Sequence, residues 1–109
     1  MNIKINKKLV FTYKKPPLLI AEISANHNGN KNLFLKHILE AKKSGADLVK
    51  IQTYEPEDIT VKKLNFQIKN GIWKNKTLWN LYKKTQTPFE WHYDAFKLAK
   101  KKNINLFST

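Results

Sequence analysis

Lys50 and Gln52 stand two residues apart in Val49-Lys50-Ile51-Gln52-Thr53-Tyr54, a short apolar run that reads as a strand. Side chains alternate along a strand, so Lys50 and Gln52 share one face while Val49 and Ile51 share the other. An ammonium and an amide are costly to bury unless they are paired or meet a polar ligand. Together at a strand's C-terminal end they read as ligand-binding groups at the mouth of an α/β fold. An edge strand with one wet face would show the same alternation. A second apolar run, residues 18–25, has a carboxylate, Glu22, in its middle, and either a buried ion pair or a site role must account for it. Ser108 and Thr109 place two hydroxyls at the end of a third run.

These groups need strands, and strands of this kind need helices between them. Residues 1–15 mix Lys with apolar side chains and read as a short hairpin or an extended arm, stopped by Pro16-Pro17. Residues 18–25 read as a buried strand. Asn28-Gly29-Asn30 is a turn, and a helix is expected over residues 31–43. Its apolar face carries Leu35, Ile38, Leu39 and Lys42, flanked by Phe34 and Ala41. Ser44-Gly45 ends it, and the second strand follows over residues 48–53. A strand, a helix of this length and another strand make a βαβ unit with parallel pairing.

A long insertion follows over residues 55–75, with Pro56, Gly71 and Trp73, and loops of that length are more often functional than decorative. A short helix over residues 77–84 should bury Leu78, Leu81 and Tyr82. Thr87, Pro88 and Glu90 fit an N-cap, a first helical position and a capping box. Trp91, Ala95, Leu98 and Ala99 make the buried stripe of that helix. Asn103 closes it before a third strand over residues 104–108.

The fold expected is α/β: about three parallel strands with intervening helices. Three such strands leave an open edge and an uncovered face. The pattern therefore reads as the N-terminal portion of a (β/α)₈ TIM barrel spanning residues 18–109, preceded by the arm at residues 1–17. In such barrels ligand groups gather at the C-terminal strand ends. Glu22, Asn26, Lys50, Gln52, Ser108 and Thr109 all lie at or near those ends.

Composition narrows the partners. The 109 residues carry a formal charge of +13, which raises nucleic-acid binding as a possibility. The lysines are spread along the chain, however, and Arg, the preferred reader of bases and phosphates, is absent. Concurrent use of Lys, Asn and Ile points to an AT-rich genome, and the charge should still draw small anions to a cleft. No run reaches the length of a membrane span, and the first residues lack a signal-peptide pattern. With no Cys there is no disulfide framework, which fits a cytoplasmic location.

Three segments together resemble the sialic acid synthase family. Ile20-Ala21-Glu22-Ile23-Ser24-Ala25-Asn26-His27-Asn28-Gly29 is similar to its first-strand signature. Gly45-Ala46-Asp47-Leu48-Val49-Lys50-Ile51-Gln52-Thr53-Tyr54 resembles the second, and Phe107-Ser108-Thr109 the start of the third. Lys50-Ile51-Gln52-Thr53-Tyr54, Gly71-Ile72-Trp73, Leu81-Tyr82 and Thr87-Pro88-Phe89-Glu90-Trp91-His92 resemble the pseudaminic acid synthase branch. The resemblance covers residues 18–109. It implies an enzyme that condenses phosphoenolpyruvate with an N-acetylated amino sugar and releases phosphate, working as a homodimer with a divalent metal, Mn²⁺ or Mg²⁺. It implies that Lys50 and Thr109, with Ser108 beside it, contact phosphoenolpyruvate, that Gln52 faces the sugar, and that Glu22 pairs with Lys50 and fixes its geometry. It places the family's metal-binding histidines, its later carboxylate base and an antifreeze-like domain beyond Thr109, so these 109 residues are expected to be inactive alone.

The remaining candidates read more plainly. His27 lacks a second ligand at metal spacing and suits loop packing or substrate contact. His37 and His92 read as structural, Trp79 and Trp91 as core, and Trp73 as open. Two alternatives to the pseudaminic reading stand beside it: an N-acetylneuraminate synthase, and a non-catalytic basic α/β domain that binds anionic partners.

Overall fold

Three parallel strands form the centre of the chain: β3 (Ile20–Glu22), β4 (Leu48–Ile51) and β5 (Leu106–Ser108), with β4 in the middle. They follow β1 (Asn2–Lys4) and β2 (Val10–Thr12), which pair antiparallel. Among the described residues four helices complete the fold: α1 (Lys31–Lys43), α2 (Pro56–Ile59), α3 (Leu78–Thr85) and α4 (Glu90–Lys102). The computed structural model describes residues 2–63 and 67–109. The parts of the expected arm and insertion that fall on Met1 and on residues 64–66 lie outside the described residues.

The sheet register aligns Glu22 with Lys50 and Lys50 with Phe107, while Val49 aligns with Leu106 and Ile51 with Ser108. This pairing divides the sheet into two faces. Val49 and Ile51, both fully buried, meet Phe34 and Ile38 of α1, Ala95 and Ala99 of α4, and Ile104. Each fully buried Val, Ile or Phe side chain among these contributes about 1.5–3 kcal/mol. On the opposite face, Ile20 is half exposed. At the N-terminal strand ends, β1 and β2 border an open apolar pocket of about 670 Å³ lined by Ile3, Phe11, Leu48 and Phe107 among others. The result is an α/β fold with the strand and helix order of a partial, unclosed (β/α) barrel.

Local chemistry sets the ends of α1. The Asn30 side chain accepts from the Leu33 N–H at 3.0 Å, which satisfies one of the orphan donors of the first turn. At the other end Gly45 takes φ +93°, and the Gly45 and Ala46 N–H groups reach back to the Lys42 and Ala41 carbonyls. That is a Schellman motif, and it turns the chain into β4. The end of α4 repeats the pair of bonds, with Asn103 at φ +53° and Ile104 N–H on the Ala99 carbonyl.

Several expectations need correction. Residues 18–25 do not form a buried strand: β3 is three residues long, lies at the sheet edge and leaves Leu19 and Ile20 exposed. The buried stripe of α1 centres on Phe34 and Ile38, which pack with Val49 and Ile51 of β4 and Ala95 and Ala99 of α4, and Leu35 and Leu39 are its half-buried flank. None of Leu78, Leu81 and Tyr82 on α3 is fully buried. Trp91 packs half-buried against the core, and Trp79 lies beside the Lys62 ammonium. The first turn of α4 begins at Glu90 and not at Pro88, and Thr87 does not cap it. Its hydroxyl is engaged elsewhere.

Candidate ligand site at the strand ends

The aligned pair Glu22 and Lys50 forms an ion pair across β3 and β4, with Nζ 2.7 Å from Oε2. The two side chains are 38% and 29% exposed, so the pair is partly solvated. Beyond Glu22 the chain turns sharply through Ser24, at φ +42°. This conformation curls Ser24 back so that its N–H and hydroxyl both donate to Glu22 Oε1, at 2.9 and 3.2 Å. Burial alone would raise the Glu22 pKa, but the bonds from Lys50 and Ser24 outweigh it and hold the carboxyl below its usual 4.5. Glu22 is thus a carboxylate at neutral pH, and it fixes the direction of the Lys50 stem.

Gln52 follows on the Lys50 face, half-buried. Thr109 is exposed at the end of β5, its N–H bonded to the Ile51 carbonyl at 3.3 Å and its carbonyl accepting from Thr53 N–H at 2.8 Å. The structure thus brings Glu22, Lys50, Gln52 and Thr109 to the same ends of adjacent strands. It does not bring Ser108 to that face. Ser108 is in register with Ile51, on the helix side, where its hydroxyl bonds the Thr53 hydroxyl.

His27 is 1% exposed, just past β3. The Gly29 N–H donates to Nδ1 at 3.0 Å, so the ring proton sits on Nε2 and is donated to the Thr87 hydroxyl at 3.1 Å. Phe34 and Trp91 contact the imidazole edge-on. Burial, and secondarily the charge of His37, lowers the pKa of His27 below 6.5 and keeps it neutral. Its role here is to fasten the loop after β3 to the segment before α4. His92 makes a comparable link: Nδ1 lies 3.1 Å from the Phe89 carbonyl, and Nε2 meets the Thr53 hydroxyl. Sequence reasoning passed over Thr53. The available signal was its alternation with Gln52, which points it into the helix layer.

Among the described residues no three His, Cys, Asp or Glu side chains stand where they could hold a metal ion. Both nitrogens of His27 and of His92 are already bonded, and Glu22 is committed to Lys50 and Ser24. The residues present do not fit a divalent-cation centre. Among them, too, no helix is long and apolar enough to cross a membrane.

Residues 37–109 match the model of the NeuB family. The chain belongs to the NeuB family. It is 45% identical over 101 residues to a pseudaminic acid synthase of Campylobacter jejuni, which covers 91% of this chain and 29% of that protein. A pseudaminic acid synthase of Helicobacter pylori is 43% identical over 97 residues, covering 87% of this chain and 28% of the relative. The chain therefore spans under a third of the length of these NeuB-type relatives. Among solved structures, the N-acetylneuraminic acid (sialic acid) synthetase of Leptospira borgpetersenii superposes with a TM-score of 0.78 at 27% identity, over 99% of this chain and 33% of that one.

Proposed function

We propose that this chain supplies the phosphoenolpyruvate-binding strand ends of a nonulosonic acid synthase of the pseudaminic acid type. The observation behind the reading is the Glu22–Lys50 pair, held at the C-terminal ends of two parallel strands in a chain this similar to pseudaminic acid synthases. Lys50 supplies a fixed ammonium for the anionic groups of phosphoenolpyruvate. In a water-poor site such a contact is stronger than it would be in bulk solvent. The Thr109 hydroxyl adds a second contact to the same ligand, and Gln52 offers its amide to the N-acetylated amino sugar. Glu22 orients the ammonium and partly offsets its charge, so that Lys50 is positioned before the ligand arrives.

With both substrates bound, C3 of phosphoenolpyruvate forms a bond to the aldehyde carbon of the open-chain sugar, and the carbonyl oxygen takes a proton. Water adds at C2 and gives up one proton, which balances the proton taken by the carbonyl oxygen. The resulting tetrahedral carbon expels inorganic phosphate, its hydroxyl proton passing to the leaving group, to leave the 2-keto acid. Residues of this segment bind and orient for that sequence. The proposal extends to a homodimeric cytoplasmic enzyme that uses Mn²⁺ or Mg²⁺ held by residues outside this segment.

A chimera tests the reading. This chain replaces the matching segment of the Campylobacter jejuni pseudaminic acid synthase, and release of inorganic phosphate is followed. Release that requires both phosphoenolpyruvate and the N-acetylated amino sugar supports the proposal. A folded chimera without such release overturns it.

A further inference from the structure

Each residue on the ligand face of the sheet end has a neighbour in sequence that points the other way. Thr53 follows Gln52, and Ser108 precedes Thr109. On the helix side these two hydroxyls meet each other, and Thr53 also meets Nε2 of His92, from the first turn of α4. Thr53 is the junction of the three elements. Its N–H donates to the Thr109 carbonyl at 2.8 Å, while its side chain reaches β5 and α4.

For a neutral His92 ring, the direction of the bonds in this chain follows from one acceptor. The Phe89 carbonyl can only accept, so His92 Nδ1 carries the proton and donates to it. In the neutral ring Nε2 is then a lone pair, and the Thr53 hydroxyl must donate to it. That uses the only hydrogen on Thr53 Oγ1, so Ser108 donates to Thr53. A polar chain that runs from β5 through Thr53 to α4, with the Ser108 hydroxyl also 3.5 Å from the Thr109 carbonyl, ties the three elements at fixed spacing. Apolar contacts at the same place would tolerate sliding.

We propose that Thr53, Ser108 and His92 are positioning residues that set the spacing between the ends of β4 and β5, and through it the placing of Gln52 and Thr109 against their ligands. The inference rests on the synthase reading above, and it gives Ser108 a role other than direct contact with phosphoenolpyruvate. Misplacement of a binding group by about 1 Å can cost on the order of 100-fold in rate. A device that holds the strand ends should therefore be visible in kinetics as well as in stability.

The test has two arms. In the active chimera, Thr53→Val keeps the shape and removes the hydroxyl, His92→Phe removes the acceptor, and Thr53→Ser and His92→Gln retain a bonding group. Thr53→Val and His92→Phe should lower kcat/KM for phosphoenolpyruvate by roughly tenfold or more at a temperature where the chimera is folded. Thr53→Ser and His92→Gln should recover most of that loss. If Thr53→Val and His92→Phe lower Tm yet leave kcat and KM within about twofold, the role is structural and the proposal is wrong. The second arm does not depend on turnover or on a variant that folds. Long-range ¹H–¹⁵N correlation on the unmodified chain should find His92 as the Nδ1–H tautomer and His27 as Nε2–H. His92 found with its proton on Nε2 reverses the bond order and overturns the proposal. An unmodified chimera that folds without activity overturns the synthase reading and, with it, the positioning role. An active chimera with unaffected variants overturns positioning alone.

Discussion

Thr87→Val separates the role the structure gives Thr87 from the capping role its sequence context suggests. Thr87 is 2% exposed and His27 1%, and the His27 ring proton is donated to the Thr87 hydroxyl at 3.1 Å. Valine fills the same space but accepts nothing, so the substitution leaves a buried N–H without a partner. Such a group costs about 1–3 kcal/mol. At about 4–6 °C per kcal/mol for a domain of this size, the midpoint of thermal unfolding should fall by roughly 5–15 °C. Removing both partners is a different matter. In His27→Phe/Thr87→Val the ring keeps its edge contacts with Phe34 and Trp91 and no buried side-chain polar atom is stranded; the Gly29 N–H loses its acceptor but belongs to an exposed residue, so the double variant should be more stable than Thr87→Val alone. Urea unfolding of the four members of the cycle at pH 7.5, followed by far-ultraviolet circular dichroism, gives the coupling energy. A cost below about 0.5 kcal/mol for Thr87→Val, or strict additivity in the double variant, would refute the buried His27–Thr87 bond.

Further outcomes are expected from the same structure. Because the Glu22 pKa is depressed, its contribution is present above 4.5 and is lost as pH falls through the folded value, so Glu22→Gln should flatten the acid limb of stability measured against pH. His27 is also depressed, and its neutral form contributes above 6.5 and loses ground as pH drops below that value; His27→Gln should remove this second slope. Ile38→Ala should cost about 2–5 kcal/mol in urea unfolding, and Leu35→Ala clearly less, since Ile38 is fully buried and Leu35 lies at the flank. In the chimera, Gln52→Ala should raise KM for the amino sugar more than KM for phosphoenolpyruvate, as read from steady-state kinetics with each substrate varied in turn.

Much of the fold was legible because strong local signals agreed with the tertiary structure. Asn30, the apolar spacing through Ile38, and Ser44-Gly45 bound α1 at the residues expected, and the βαβ reading of the two flanking runs is the parallel pairing observed. The failures share a physical cause. The apolar character of residues 18–25 says nothing of which neighbours cover them, and at a sheet edge Leu19 and Ile20 stay exposed. Thr87-Pro88-Phe89-Glu90 has capping chemistry, but the buried imidazole of His27, 60 residues earlier, competes for the hydroxyl. Glu22 in an apolar run was readable as needing an ion-pair partner or a site role, and the family resemblance, not the local pattern, named Lys50 as the partner that the structure shows. His92 was not readable as a link to Thr53, because no local pattern announces a contact across 39 residues.

The account's central claim is that Lys50 is the ammonium that receives phosphoenolpyruvate, and Lys50→Met in the active chimera tests it most directly. Methionine keeps most of the stem's packing and removes the charge. Folding should change little, because the pair with Glu22 is partly solvated and such pairs contribute about 0–1 kcal/mol. Catalysis should change much more. Loss of a charge-assisted contact to a bound anion removes about 2–4 kcal/mol of transition-state stabilisation, so kcat/KM for phosphoenolpyruvate should fall by roughly 30- to 1,000-fold. A folded Lys50→Met chimera whose kcat/KM stays within about twofold of the unsubstituted chimera would contradict the claim.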